Sequence, residues 1–294
     1  MSPTETIAVI IATRGRPALV RGLVMLLQSQ SRAPDHIVIV GSETDDLGGL
    51  EDGPGLTARV GRTGSAHQRN DGLALAGGRY DYVAFFDDDF IPSHFWLEQM
   101  AATFRARPDV VCLTGRVLAD GAKSPGIDRG EGLRVVTEED GHGEDGDDGL
   151  HEGIGPYGCN MAFRTSAIAG LGFDERLPLY AWLEDSDFGG QVARRGLTAR
   201  ADALWGVHLG NKTGRERGKR VGYSQVANSV YLMRKGTLPV PFLGKLMARN
   251  VAANVVRSLR PEPYIDRRGR LAGNLTALLD IARGRISPER TAKL

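Results

Sequence analysis

Phe85, Phe86, Asp87, Asp88, Asp89 and Phe90 place three consecutive carboxylates behind a run of strand-forming apolar side chains. Adjacent negative charges repel, so such a triplet either holds a proton through a raised pKa or is neutralised by a cation. An Asp-x-Asp at a strand end suits a hard divalent cation, Mg2+ or Mn2+, whose remaining positions take diphosphate oxygens. A solvated acidic turn ahead of a helix is the plainer reading of the triplet taken alone. A second acidic group stands in WLEDSDFGGQVARRG, where Glu184, Asp185 and Asp187 precede a helix whose Phe188, Val192 and Ala193 face inward. Carboxylates there complement the positive end of the helix dipole, and a general base is the functional alternative. After the first strand there is no G-x-G-x-x-G, and nowhere a G-x-x-x-x-G-K-[ST]. A dinucleotide-binding dehydrogenase and a P-loop NTPase therefore both lack their phosphate cradle.

These acids need elements to hold them. Tyr82 to Phe86 reads as a short buried strand, and Pro92-Ser93 followed by HFWLEQMAATFRA as the first turn and body of an amphipathic helix. Over the first hundred residues the apolar runs IAVIIA, HIVIV and YVAFF alternate with helix-period segments, Pro17 to Gln30 and Ser65 to Ala76. That alternation predicts βαβ units and a mostly parallel sheet. Ligands of such sheets bind beyond the carboxyl ends of the strands, where ATRGRP, GSETDD and DDDF fall. A strand VVCLTGRVL follows, and then TEEDGHGEDGDDGLHEG, residues 137–153, which is too polar and glycine-rich to pack. A mobile loop is expected there, with an active-site lid as the alternative. LTARADALWGVHL reads as a strand, and the chain from Glu216 onward as helices broken by GTLPVP and RPEP.

The longest apolar run near the start, Ile7 to Ala12, is far short of the roughly 18 residues a membrane span needs, and no basic segment precedes it. Neither a signal peptide nor a transmembrane helix is expected. Cys112 and Cys159 are the only cysteines, with no zinc or disulfide spacing, so a reducing cytoplasm is the expected compartment. The formal net charge of +1 hides a division: residues 189–294 carry 21 Lys and Arg against 6 Asp and Glu, leaving 16 against 30 in the first 188. A basic C-terminal third points to a polyanionic partner, whether membrane surface, nucleic acid or phosphorylated ligand.

From about Thr6 to about Leu209, the segments VIIATRGRP, VIVGSETDD, GSAHQRNDGLALAGG, FFDDDF, GCNMAFR with GFDE, and LEDSDFGGQVARRG occur in an order that resembles the family 2 glycosyltransferases. The resemblance implies the GT-A fold: a Rossmann-like, mostly parallel α/β sheet flanked by helices, here with a helical C-terminal extension. It divides the chain into a nucleotide-sugar-binding βαβ portion (1–115), an acceptor and catalytic portion (116–215) and the basic extension (216–294). The implied activity is inverting, metal-dependent transfer of one sugar from a nucleotide diphosphate sugar, a UDP-sugar first, to an acceptor hydroxyl in exopolysaccharide or glycolipid assembly.

The same resemblance assigns roles. Thr13 and Arg14 would border the nucleotide, Glu43 or Asp45 its base or ribose, and Arg69, Asn70 and Lys212 the donor or its diphosphate. Asp87 and Asp88 would contact ribose or metal-bound water. Asp89 would be the principal ligand of Mn2+ or Mg2+, with Asp87 and a late histidine, His208, completing the shell. Taken alone, His208 reads as a partly buried ring with one hydrogen bond. Asp185 would be the catalytic base, Glu184 would orient the acceptor, and Asn160 and Trp182 would line its site. Two departures stand out: GSETDD replaces the usual DDGS or DNGS, and no QxxRW element of processive synthases occurs.

Other classes compete. A sugar-1-phosphate nucleotidyltransferase would release pyrophosphate, a metal-dependent phosphohydrolase would act without acceptor, and a non-catalytic nucleotide-sugar-binding protein would turn nothing over. The expected acceptor is a lipid-linked or free saccharide, and nucleic acid is not expected as a partner. In the tail, Lys245 to Leu259 places Leu246, Val251, Val255, Val256 and Leu259 near one helical face, with Arg249 and Arg257 toward its edges. This helix either packs on the catalytic domain or adsorbs to an anionic membrane, putting the protein peripherally at the inner leaflet.

Overall fold

A computed structural model describes residues 5–142, 149–212 and 217–294. The chain forms two compact units: Met1–Thr63, His67–Gly172 and Gln191–Gly214 make the first, and Gly64–Ala66, Phe173–Gly190 and Arg215–Leu294 the second. The strands are β1 (Ile7–Thr13), β2 (His36–Gly41), β3 (Leu56–Val60), β4 (Tyr82–Asp87), β5 (Phe90–Pro92), β6 (Val110–Asp120), β7 (Leu150–Glu152), β8 (Asn160–Arg164) and β9 (Leu197–His208). The helices are α1 (Pro17–Gln28), α2 (Ser65–Ala76), α3 (Trp96–Ala106), α4 (Arg129–Gly141), α5 (Thr165–Ile168), α6 (Glu184–Val192), α7 (Gly218–Lys235), α8 (Val240–Arg257) and α9 (Arg267–Ala282).

The first unit is the mixed α/β sheet with a mostly parallel centre that the apolar runs predict. Its order is β3-β2-β1-β4-β8-β6-β9-β5, with β7 paired to β9. β3, β2, β1 and β4 are mutually parallel, as are β6 and β9, whereas β8 runs antiparallel between β4 and β6. Strands such as β1 and β2 are apolar along their length because both faces are covered. Pro17 opens α1 at a position where its missing N–H costs nothing. That helix then buries Val20, Leu23, Val24 and Leu27, which join Trp96, Met100 and Phe104 of α3 against Ile7, Val9, Ile39 and Phe86.

Two expectations change. Pro92 ends β5 and does not begin a helix: Ile91 and Pro92 pair with Val207 and Gly206, and α3 starts only at Trp96. Within the segment 137–153, residues up to Gly141 complete α4 and Leu150 to Glu152 form β7; positions 143–148 lie outside the described residues. Local composition hid α4, whose Val136 and Leu133 pack against Ile91, Val207 and Leu209. Arg134 pairs with Glu131 and Glu138 along its surface. Asp140 accepts hydrogen bonds from Ser93 Oγ (2.6 Å), the His94 N–H (2.9 Å) and Trp205 Nε1 (2.8 Å), fixing the end of the helix.

In the second unit, Tyr223, Val226 and Ala227 of α7 and Ala277 of α9 form a small core with Met247 and Val251 of α8. The five apolar residues of the tail helix do not share one face. Val251 packs against this core, while Val255, Val256 and Leu259 are exposed; α8 ends at Arg257, so Leu259 lies beyond the helix.

Candidate functional site

Register assembles the acidic site. Thr13 pairs with Gly41 and Ala12 with Asp87, so the carboxyl ends of β1, β2 and β4 lie side by side. The chain leaves β4 through Asp88 and Asp89 into β5, which runs antiparallel to β9 with Phe90 opposite His208. Asp120, the last residue of β6, lies opposite the same histidine. Three strand ends thereby bring together Asp120 and Asp89, which stand 88 and 119 positions from His208 in the sequence. Close approach requires glycine here: a Cβ on Gly121 would sit 1.9 Å from the Leu209 carbonyl oxygen, and Gly210 adopts φ +63 beside it.

Each acid has its own environment. Asp87 is half-exposed and receives Arg69 Nη2 at 2.9 Å; the same atom also donates to the Gly158 carbonyl at 2.9 Å. Asp88 is buried and accepts Thr13 Oγ1 at 2.7 Å and Arg16 Nη1 at 2.7 Å. Asp89, also buried, lies 3.3 Å from Arg16 Nη1 and 3.4 Å from His208 Nε2, and takes the Asn211 N–H at 2.7 Å. Burial raises the pKa of Asp87, and it raises that of Asp88 despite the opposing Arg16 charge. Burial works on Asp89 in the same sense, but His208, Arg16 and the Asn211 N–H outweigh it and hold Asp89 below the usual carboxylate range. For His208, burial alone would depress the imidazole; Asp120, then Asp89, reverse this and raise it to about 10.

Asp87, Asp89 and His208 each offer one ligand atom, and these atoms lie within 4.8 Å of one another. Two carboxylates with one imidazole form a donor set that fits Mn2+ or Mg2+ better than a thiophilic metal. Behind it, Asp120 Oδ1 lies 2.9 Å from His208 Nδ1 and its Oδ2 accepts Tyr157 Oη at 3.1 Å. His208 thus has two carboxylate partners, where the plainer reading of the ring alone gave it one.

The other sequence-predicted residues of this unit each have their own surroundings. Arg14 is exposed, and Arg16 reaches Asp88 and Asp89. Glu43 and Asp45 are exposed on the turn after β2; the buried Asp46 instead ties that turn to the Gly15 N–H at 2.5 Å. Gln68 Nε2 bridges the Thr13 and Val40 carbonyls, at 2.8 Å each. Asn70, one helical position past Arg69, lines a separate cavity of about 740 Å³ with Tyr82 and Arg164. Asn160 is fully buried, and its Oδ1 accepts Thr114 Oγ1 and the Gly115 N–H, both at 2.9 Å. Lys212 Nζ donates to the Gly121 carbonyl at 2.7 Å. Arg16, Gln68 and Asp120, which contact Asp88, the Thr13 carbonyl and His208, were not singled out in the sequence. ATRGRP contained the first, but nothing local to the other two announced a partner so distant in sequence.

The second unit holds the other acidic group. Leu179, Ala181 and Leu183 have φ of 61, 48 and 72, left-handed conformations costing roughly 1 to 3 kcal/mol each for non-glycine residues. This strained stretch leads into α6, whose first turn carries Glu184, Asp185 and Asp187. Asp187 is fully buried between Lys235 Nζ (2.6 Å) and Thr237 Oγ1 (2.5 Å). Asp185 is half-buried, with Oδ1 accepting the Ser186 N–H at 2.7 Å. Glu184 is buried. Trp182 is half-buried, its carbonyl held by Asn228 Nδ2 at 2.8 Å, and its ring lies 6.4 Å from the exposed ring of Tyr180.

A family model described as Glycosyl transferase family 2 matches residues 8–170. The glucosyl-dolichyl phosphate glucuronosyltransferase of Haloferax volcanii is 30% identical over 154 residues, which are 49% of this chain and 47% of that protein. This chain therefore spans about half the length of that relative. TarS residues 1–349 of S. aureus in complex with UDP-GlcNAc superpose with a TM-score of 0.55 at 15% identity, over 98% of this chain and 83% of that one. The mannosyltransferase PcManGT from Pyrobaculum calidifontis in complex with GDP-Man and Mn2+ gives a TM-score of 0.51 at 16% identity, over 99% and 86%. These structural likenesses show the fold.

Proposed function

Since this chain belongs to glycosyl transferase family 2 and has the GT-A fold, we propose that it is an inverting, metal-dependent enzyme moving one sugar from a nucleotide diphosphate sugar to an acceptor hydroxyl. The observation that carries this reading is the convergence of Asp87, Asp89 and His208 at the strand ends. These three would hold Mn2+ or Mg2+, and the ion when bound would offset charge on the departing diphosphate. Arg16 and Arg69 flank the acids and supply fixed positive charge toward the donor phosphates. Thr13 and Asp88, hydrogen-bonded to each other, form the floor beneath the ribose.

Asp185 takes the proton of the acceptor hydroxyl as that oxygen attacks the anomeric carbon from the face opposite the leaving group, so one displacement inverts the centre. The support for Asp185 over Asp187 is accessibility: Asp187 is fully buried in an ion pair with Lys235, whereas Asp185 is partly exposed. Tyr180 and Trp182 offer apolar ring faces on which an acceptor saccharide can stack, and Glu184 orients its hydroxyl. A UDP-sugar is the first donor to test, since TarS was solved with UDP-GlcNAc. A lipid-linked saccharide in exopolysaccharide or glycolipid assembly is the first acceptor, in line with the dolichyl-phosphate-linked substrate in the name of the Haloferax relative. The buried free thiols of Cys112 and Cys159 agree with a cytoplasmic location.

A panel of UDP- and GDP-sugars with Mn2+, assayed for nucleoside diphosphate release with saccharide and polyprenyl-linked acceptors, tests the reading. Release with one donor and dependent on acceptor is the expected outcome; no release with any pair, or pyrophosphate as product, contradicts it.

Asp120 has a defined part in this account. By accepting the Nδ1 proton of His208 it fixes the tautomer that leaves Nε2 as the ligand atom. Asp120→Asn is expected to weaken Mn2+ binding about 10- to 100-fold, measured calorimetrically without donor. Unchanged affinity would reduce Asp120 to a structural contact.

A further inference from the structure

The helices α8 and α9 of the second unit are amphipathic in the inverted sense. Beside the apolar Leu243, Met247, Val251 and Ala277, their inward side carries a connected polar set: Asn254 Nδ2 donates to Gln225 Oε1 and Asn274 Oδ1, both at 2.9 Å, Arg267 reaches Asn254 Oδ1 at 3.1 Å, and Asn274 Nδ2 reaches the Gly222 carbonyl at 2.7 Å. Their outward positions are apolar. Of the thirteen large hydrophobic residues exposed among the described residues, nine lie between Val240 and Ile281, including Leu259 at 81%, Val256 at 67% and Leu275 and Leu279 at 54%. A helix pair that satisfies its polar groups inside and turns leucines outward has its hydrophobic partner elsewhere.

Charge says which partner. Lys245, Arg249, Arg260, Arg283 and Arg285 are exposed on or beside these helices, whereas every carboxylate after Pro239 is engaged within the unit. Glu262 pairs with Arg267 at 2.8 Å, Asp266 Oδ1 caps the Gly269 N–H at 2.8 Å, Asp280 pairs with Arg290 at 2.7 Å, and Glu289 with Arg176 at 2.5 Å. The outer face is therefore apolar with a cationic border. Two copies meeting through this face would oppose like charges, and a nucleic acid would leave the leucines uncovered. An anionic lipid surface complements both features, with apolar side chains entering the acyl boundary and basic side chains at the headgroups. Among the described residues no helix is long and apolar enough to cross a membrane, so the contact is interfacial. We propose that the outer face of α8 and α9 docks peripherally on an anionic bilayer.

This proposal is independent of the transferase reading, because its test contains no nucleotide. Full-length protein is floated with phosphatidylcholine vesicles that contain or lack phosphatidylglycerol. Partitioning onto the anionic vesicles, weakened by salt, is expected. Leu275→Gln combined with Leu279→Gln should lower it at least ~10-fold. Arg249→Gln, Arg260→Gln and Arg285→Gln together should lower it roughly 100-fold, at about fivefold per charge. All five positions are exposed, so unchanged thermal melting verifies that each variant is folded. Absence of partitioning by the native chain, or equal partitioning by native chain and folded variants, overturns the proposal. So does self-association in sedimentation equilibrium that the leucine substitutions abolish while vesicle binding is absent.

Discussion

Asp89→Ala is expected to abolish Mn2+-dependent binding of UDP, lowering affinity by about 100-fold or more, because a methyl group neither coordinates a cation nor balances its charge. The geometry makes Asp89 the most consequential of the three acids. It is buried, kept ionised by His208, Arg16 and the Asn211 N–H, and shares the ligand cluster with Asp87 and His208. Removing it also takes one contact from the Asn211 N–H and one from Arg16, which keeps its pair with Asp88, so the measurement is paired with Asp89→Asn, which keeps the shape and loses the charge. Calorimetry of UDP with Mn2+ should show both variants deficient, and UDP without metal should bind native and variant protein alike. Metal-dependent affinity at the native level in folded Asp89→Asn would remove Asp89 from the site.

Asp185→Asn is expected to leave donor affinity unchanged and to lower kcat by roughly 100-fold or more, since the amide has the same shape and no useful basicity. Asp187→Asn separates the two acids. Asp187 is fully buried and held by Lys235 and Thr237, so its replacement should lower thermal stability, as expected when one member of a buried ion pair is removed. A full native kcat in Asp185→Asn would move the base elsewhere.

What the sequence revealed follows from how local each signal is. β1, β2 and β4 announced themselves as apolar runs because the sheet covers both of their faces. β3 did not: Leu56–Val60 has only Ala58 buried, and its exposed Arg59 and Val60 give no clear alternation. α4 was hidden by glycines and acids, and its helix is held by Asp140 and by distant apolar partners. The acid triplet, Asp185 and His208 were legible as residue types at strand and helix ends. Arg16 as the basic partner of Asp88, and Asp120 as the partner of His208, were not, because strand pairing between remote segments creates those contacts. The outward leucines of α9 illustrate the same limit. Their spacing is that of a core face, yet the helix buries Asn274, Ala277 and Asp280 instead.

Central to this account is single-displacement transfer by Asp185 at a metal-assisted donor site, and the anomeric configuration of the first product reports on it most directly. With the donor identified from the panel, proton NMR of the early reaction mixture gives the coupling constant of the newly formed linkage, while phosphorus NMR identifies the released phosphate species. An anomeric configuration opposite to that of the donor, appearing together with nucleoside diphosphate and only when acceptor is present, is the predicted result. A retained configuration, or release of pyrophosphate, or donor breakdown at the same rate without acceptor, would contradict it.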